Sequence, residues 1–404
     1  MSVKELGNDY KDYIIQQRRY FHQNPELSFK ETNTTEHIRR ELEAMGMEVH
    51  TFDDITGVVG DLKGAEPGPT VLIRADMDAL PVVEETGLPF ASTNGAMHAC
   101  GHDGHMSGVL GAAKILSSMR DELKGNVRFM FEPAEESCYG GPVTKEGYET
   151  AYGAHYLLER GVLDGVDAAF SLHLWADLPA GRISVESGVR MAANDSFTIR
   201  IHGKSCHGAA PQNGHDANLC AASIMMNLQT LVSRINDPRN MLVMTIGKMT
   251  GGNIFNTVSS EAFLEGTVRT FSKSFRTRIE PEMKKIIEGT AEALGCTADF
   301  YYRGYLNVVE NSDDDMNEIA QEAAETIFGH ENIVMMPAVT ASETFSSCME
   351  RVPGHFAFVG VRNEKTGMTY SNHDVRFSID EDTLNLASEY LAQCVLGYMD
   401  RKKS

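Results

Sequence analysis

Apolar residues recur along this chain with two different periods, and the period changes twice. Residues 1–45 carry helical spacing, broken by a polar turn at Asn24-Pro25-Glu26 between helical segments, with Leu27 and Phe29 beside it and a stop at Gly46. Short apolar runs then appear at Val58-Val59-Gly60-Asp61-Leu62, at Thr70-Val71-Leu72-Ile73, and over residues 127–131 and 168–174. A helix is expected over 104–120, where Met106, Val109, Leu110, Ala113 and Leu116 repeat at helix spacing. Apolar strands that end in polar residues, with helices between them, predict an α/β layer whose site lies at the strand ends.

The pattern changes after residue 190. Residues 197–202 alternate, 217–232 are helical, 242–246 form a strand, 261–270 alternate, 275–294 are helical and 297–302 alternate again. This β-α-β-β-α-β order is the split unit of ferredoxin-like domains. It predicts a domain of roughly one hundred residues inserted into the first. Longer helices and apolar strands return from residue 313: a helix over 313–327, a strand over 356–359, the loop Ser371-Asn372-His373-Asp374 and a helix beginning near Asp380. The predicted fold class is therefore α/β, a mixed-sheet domain made of 1–190 and 305–404 with a ferredoxin-like βαββαβ insertion over 191–304.

Composition narrows the function. A chain of 404 residues with 42% hydrophobic content accommodates two globular domains. Its net charge of -21 repels nucleic acid and anionic membranes, which excludes both as expected partners. An anionic substrate would need locally placed cations. The seven cysteines show no disulfide framework, and the charged stretch 1–20 has no apolar core of a leader. A cytoplasmic protein with free thiols is expected.

The densest chemistry is His98-Ala99-Cys100-Gly101-His102-Asp103-Gly104-His105. Imidazole, thiolate and carboxylate suit a borderline-soft divalent metal, and the two glycines let the backbone turn between them. The cluster opens the helix that follows, where the dipole favours a thiolate. A second signal is Glu135-Glu136, directly after the strand over 127–131 and Pro133. Adjacent carboxylates repel unless a cation lies beside them, so one would ligate metal and the other stay free as a base. His173 near the end of another apolar strand, and Asp76 after a third, point to the same edge.

With these residues in place, the chain resembles the aminoacylase, hippurate hydrolase and auxin-conjugate hydrolase group of dinuclear metallopeptidases. The resemblance runs through His22-Gln23-Asn24-Pro25-Glu26-Leu27-Ser28-Phe29, Arg74-Ala75-Asp76-Met77-Asp78-Ala79-Leu80-Pro81, the cysteine–histidine cluster and Phe131-Glu132-Pro133-Ala134-Glu135-Glu136. It continues through Ser171-Leu172-His173-Leu174-Trp175, Gly203-Lys204-Ser205-Cys206-His207-Gly208, Gly251-Gly252-Asn253-Ile254-Phe255-Asn256, Glu265-Gly266-Thr267-Val268-Arg269 and Ser371-Asn372-His373-Asp374. It implies that Cys100, His102, Glu136, His173 and His373 hold two divalent metals (Zn, Mn, Co or Ni), with Cys100 as the bridge. His98 and His105 resemble positions that do not bind metal, and Asp76 is expected to orient a ligand from behind.

The resemblance further implies Glu135 as general base and acid, His207 as an oxyanion-stabilising residue, and Asn256 and Arg269 as holders of a substrate carboxylate. The activity implied is hydrolysis of N-acyl amino acids to a carboxylate and a free amino acid. A dipeptidase or aminobenzoyl-glutamate hydrolase on the same site, and an inactive metal-binding partner subunit, are the alternatives. The implied assembly is a homodimer, or an oligomer built from dimers, in which the inserted domain serves dimerisation and acts as a lid, its histidine reaching the partner's site. Four departures from the family pattern stand out: Ser137-Cys138-Tyr139 after the paired glutamates, Thr344 where an aspartate is usual, Gln212 for a histidine, and a long segment over 142–151.

Overall fold

A computed structural model describes residues 1–136, 143–144, 147–148 and 152–402 of the chain. Its first sheet has seven strands, in the spatial order Glu48–Thr51, Val58–Lys63, Lys124–Glu132, Glu66–Asp76, Ala168–Pro179, Gly354–Arg362 and Ile183–Ser184. The four strands from 124–132 to 354–362 pair in parallel, while the first two and the last are antiparallel to their neighbours. The fold is α/β with a mixed sheet, as the pattern predicts. The continuous apolar runs have a simple cause. Along the strand Glu66–Asp76, Val71 and Ile73 face one hydrophobic core, while Leu72 faces another on the opposite side. Both faces are dry, so alternation disappears.

The helix His102–Ser118 lies on the first of these faces and is buried along almost its whole length. It packs against the C-terminal helix Leu384–Arg401. Gly111 permits the close approach, because a Cβ there would collide with Ser388, whose hydroxyl donates to the Gly108 carbonyl at 2.8 Å.

The second sheet is antiparallel, with strands Leu242–Gly251, Glu261–Thr270, Ala193–His202 and Thr297–Leu306 side by side. Helices Ala217–Thr230 and Lys273–Ala293 cover one face through Ile224, Leu228, Ile279, Met283 and Ile287. One face is packed and the other wet, so these strands alternate in sequence. The order is that of a ferredoxin-like unit. Two short strands not foreseen in the sequence, Gly188–Met191 and Val309–Asn311, pair where the chain passes between the sheets. The departures at Ser137-Cys138-Tyr139 and over 142–151 fall almost wholly outside the described residues, and no side chain of either is described.

Candidate metal centre

Two parallel strands, the start of one helix and one loop deliver the donors. The strand Lys124–Glu132 runs into a turn that carries Glu135 and Glu136, and the residue before them, Ala134, is in the left-handed region at φ 52°. That backbone is held from outside: the Ala134 N–H donates to Glu31 at 2.8 Å, and the Glu135 and Glu136 N–H groups donate to the two Asp78 oxygens at 3.1 and 3.0 Å. His373 is also left-handed, at φ 72°, and its N–H is tied to the Ala99 carbonyl at 2.7 Å. Among the described residues only Phe29 shares this conformation without being glycine. Non-glycine residues adopt it at a cost, which the surrounding bonds here offset.

The helix His102–Ser118 begins inside the cluster, with Gly101 at φ 96° before it. His102 Nδ1 lies 2.8 Å from the Asp78 carbonyl and His173 Nδ1 lies 2.8 Å from the Leu174 carbonyl. A carbonyl only accepts, so each Nδ1 donates, and Nε2 is the nitrogen left to face a metal, with a lone pair when the ring is neutral. His102 Nε2 is buried without a hydrogen-bond partner. Cys100 Sγ lies 3.4 Å from His173 Nε2 and 3.3 Å from His373 Nε2, and His373 Nε2 lies 3.0 Å from a Glu136 oxygen. Donor atoms of Cys100, His102 and His173 fall within 4.8 Å of one another, as do those of Cys100, Glu136 and His373, and those of His102, Glu135 and Glu136. Cys100 is common to the first two groups, the position a bridging thiolate would need.

The charge balance fits a cation. Burial pushes the Cys100 thiol well up, and Glu136, Glu135 and Asp76 push it further. Burial likewise raises Glu135 well above the carboxylate range, with Glu343 and Glu136 adding to it. Burial opposes a charged His102, yet Asp76, Asp78 and Glu136 together raise it to about 10. A buried surplus of negative donors around an unpartnered imidazole nitrogen is the environment a divalent ion satisfies. The residues therefore fit a metal centre.

Two histidines of the cluster stay out of the donor set. His105 Nδ1 is 2.6 Å from Asp76, and its Nε2 accepts from the Leu174 N–H at 2.9 Å, so both nitrogens are used. His105 does lie within 4.8 Å of Asp76 and His102, but it has no lone pair left to offer a metal. His98 is buried and belongs to none of those groups, and burial lowers it to about 4, leaving a neutral ring. Asp76, fully buried, accepts from His105 and lies 3.7 Å from His102 Nε2, behind the donors.

The remaining candidates lie on the second sheet's unit. His207 and Asn256 come together there: the Gly208 N–H donates to the Asn256 carbonyl at 2.7 Å, and His207 pairs with Thr257. Both are exposed, and among the described residues no hydrogen bond or ion pair joins either to the cysteine–histidine cluster. Arg269 donates to the side chain of Asn194, its cross-strand neighbour, and to Thr267 at 3.0 Å. Asn194 in turn donates to the Tyr152 hydroxyl at 2.9 Å.

Several residues essential to this geometry escaped the sequence. Asp78 was visible only as one of two aspartates after a strand, and Glu31 carried no signal. Arg74 is fully buried between Glu132 at 2.8 Å, Asp76 at 2.9 Å and Glu343 at 2.9 Å. Glu343 lies far along the chain, and nothing in its spacing marks it.

Residues 72–397 match peptidase family M20/M25/M40, and the chain belongs to that family of hydrolases. It is 40% identical to the N-acetylcysteine deacetylase of Bacillus subtilis over 392 residues, covering 96% of this chain and 98% of that protein. It is also 40% identical over 315 residues to the N-acyl-L-amino acid amidohydrolase of Geobacillus stearothermophilus, covering 78% and 82%. Among solved structures it resembles the Bacillus subtilis YxeP protein, a dinuclear metal-binding peptidase of family M20. That match has a TM-score of 0.83 and 37% identity over 97% of this chain and 99% of that one.

Proposed function

We propose that this protein is a metal-dependent N-acyl-amino-acid amidohydrolase that releases a carboxylate and a free amino acid. One observation carries the reading: five donors of S, N and O type converge while a sixth residue, Glu135, stands beside them on the same turn as Glu136. The names of the two sequence relatives support N-acyl amino acids as the substrate class.

In this reading Cys100, His102, Glu136, His173 and His373 hold two divalent ions, and Zn, Mn, Co and Ni all suit the mixed donor set. Such a pair supplies Lewis-acid polarisation of the scissile carbonyl and stabilises charge on its oxygen. Glu135 takes the proton of the attacking water and returns it to the leaving nitrogen. His207 stabilises the oxyanion, and Asn256 and Arg269 hold the substrate carboxylate.

We take 191–304 as the inserted dimerisation and lid domain and the rest as the catalytic domain. The assembly proposed is a homodimer with shared sites. Leu219 and Met226 on one helix, and Val243 and Met249 on the sheet's edge strand, are exposed apolar side chains that a second copy would cover. No helix among the described residues is long and apolar enough to cross a membrane. The six cysteines among the described residues are free, which supports a reducing, cytoplasmic setting.

The deciding experiment is a turnover screen of the metal-reconstituted enzyme on acetyl-, benzoyl- and indoleacetyl-amino acids and on dipeptides. Hydrolysis of the acyl amino acids is expected. Turnover of dipeptides alone would replace this reading with a peptidase, and no turnover of any of them would favour a binding subunit.

A further inference from the structure

We infer that Thr344 is a positioning residue for Glu135, set in place by Arg74 and Glu343. The inference rests on the reading of Glu135 as the base. Glu135 is fixed at two points. Its own N–H is bound by Asp78, and one of its carboxylate oxygens accepts the Thr344 N–H at 3.3 Å. The second contact comes from a residue more than two hundred positions away in sequence, so the loop bearing it must be anchored independently.

That anchor is a buried cluster. The Thr344 hydroxyl accepts from Arg74 Nη2 at 2.5 Å and lies 3.2 Å from a Glu343 oxygen, to which it donates. The same Glu343 oxygen takes the Phe345 N–H at 3.1 Å and the Arg74 guanidinium at 2.9 Å. Phe345 is fully buried in the core beneath, and Thr344 is itself inaccessible. Arg74 belongs to the strand Glu66–Asp76 and also binds Glu132, the last residue of the strand leading into the Glu135 turn. One guanidinium thus ties the strand, the turn and the Thr344 loop into a single rigid body.

The Arg74 guanidinium is engaged by Glu132, Asp76 and Glu343, and the contact that reaches the Glu135 carboxylate from this cluster is the Thr344 N–H.

The test compares Thr344→Val, which removes the hydroxyl and keeps the N–H, with Thr344→Ser, which keeps both. Kinetics on an N-acyl amino acid, bound metal by elemental analysis and Tm are measured alongside Glu135→Gln. Thr344→Val is expected to lower kcat about tenfold or more, the scale of a small displacement of a catalytic group. KM should stay within about twofold, and metal content should be unchanged. Thr344→Ser should recover most of kcat. Thr344→Ala, which adds no methyl to the cluster, serves if the valine variant does not fold.

A wild-type kcat in both the valine and alanine variants, or a lowered Tm with unchanged kcat, overturns the positioning role. If Glu135→Gln is inactive in that case, the base assignment survives without Thr344. If Glu135→Gln still turns over, the base assignment fails first and the inference with it.

Discussion

Replacing Glu135 by glutamine exchanges one oxygen for an amide nitrogen and leaves the backbone bonds of its turn to Asp78 in place. The variant should lose at least about a hundredfold in kcat, the scale of general-base removal. It should keep both metals by elemental analysis, because the five donors remain. Loss of metal together with activity would mean that the roles of Glu135 and Glu136 are wrongly divided. Cys100→Ser removes the thiolate shared by two donor groups and puts a poor alcohol ligand in its place. Its metal should exchange out under a chelator concentration that leaves wild type loaded; equal retention would rule out a bridging thiolate. Arg269→Ala should raise KM for N-acyl amino acids more than for the corresponding amides, which lack the carboxylate. Equal effects on both would leave Arg269 as the strand residue that binds Asn194. At this scale the Cys100–His102 pair was legible because its ligand types crowd into a few residues. Arg74 with Glu343 was not, since their bond joins distant segments.

Among elements, periodicity carried most of the information. The strand Glu261–Thr270 has the bounds its alternation predicts. The strand Ala168–Pro179, in contrast, runs past His173 by six residues, because parallel pairing with Gly354–Arg362 continues as far as Pro179. Short elements such as Gly188–Met191 were missed because four residues carry no readable period and their pairing partner lies over a hundred residues away. Within the second sheet's unit, Asp195 joins three elements. Fully buried, it accepts from Arg276 at 2.5 Å and from the Tyr302 hydroxyl at 2.6 Å. Asp195→Asn should destabilise the protein by about 3 kcal/mol, since Arg276 would keep its charge without its partner. Differential scanning calorimetry should show a lower Tm, and an unchanged Tm would mean that solvent already satisfies Arg276.

For the whole molecule, the decisive question is where His207 acts. It is exposed, and among the described residues it makes no hydrogen bond to the cysteine–histidine cluster of its own chain. If each site borrows His207 from a partner, two inactive variants, Glu135→Gln and His207→Ala, should complement when subunits exchange. Random pairing makes about half of the dimers mixed, each with one complete site, so roughly a quarter of wild-type activity should return. Mass-tagging one variant shows independently that exchange occurred. Exchange without recovery would mean that His207 works within its own chain or not at all, and the metal-centre reading would stand without the shared site.

The order of the longer elements, the β-α-β-β-α-β run of the second sheet's unit and the crowding of metal-ligand residue types into one stretch were determined by the sequence alone. Each rests on local information: a period, a turn residue or a cluster within one stretch of chain. The convergence of His373 on Cys100, the tautomers of His102 and His173, and the support of Glu135 by Asp78 and Thr344 were decided only by tertiary structure. These are contacts between distant segments, and their geometry depends on strand register and on carbonyls that every residue possesses. Hydrogen bonding of that kind leaves no mark on side-chain identity, so it becomes visible only when the sheet has assembled.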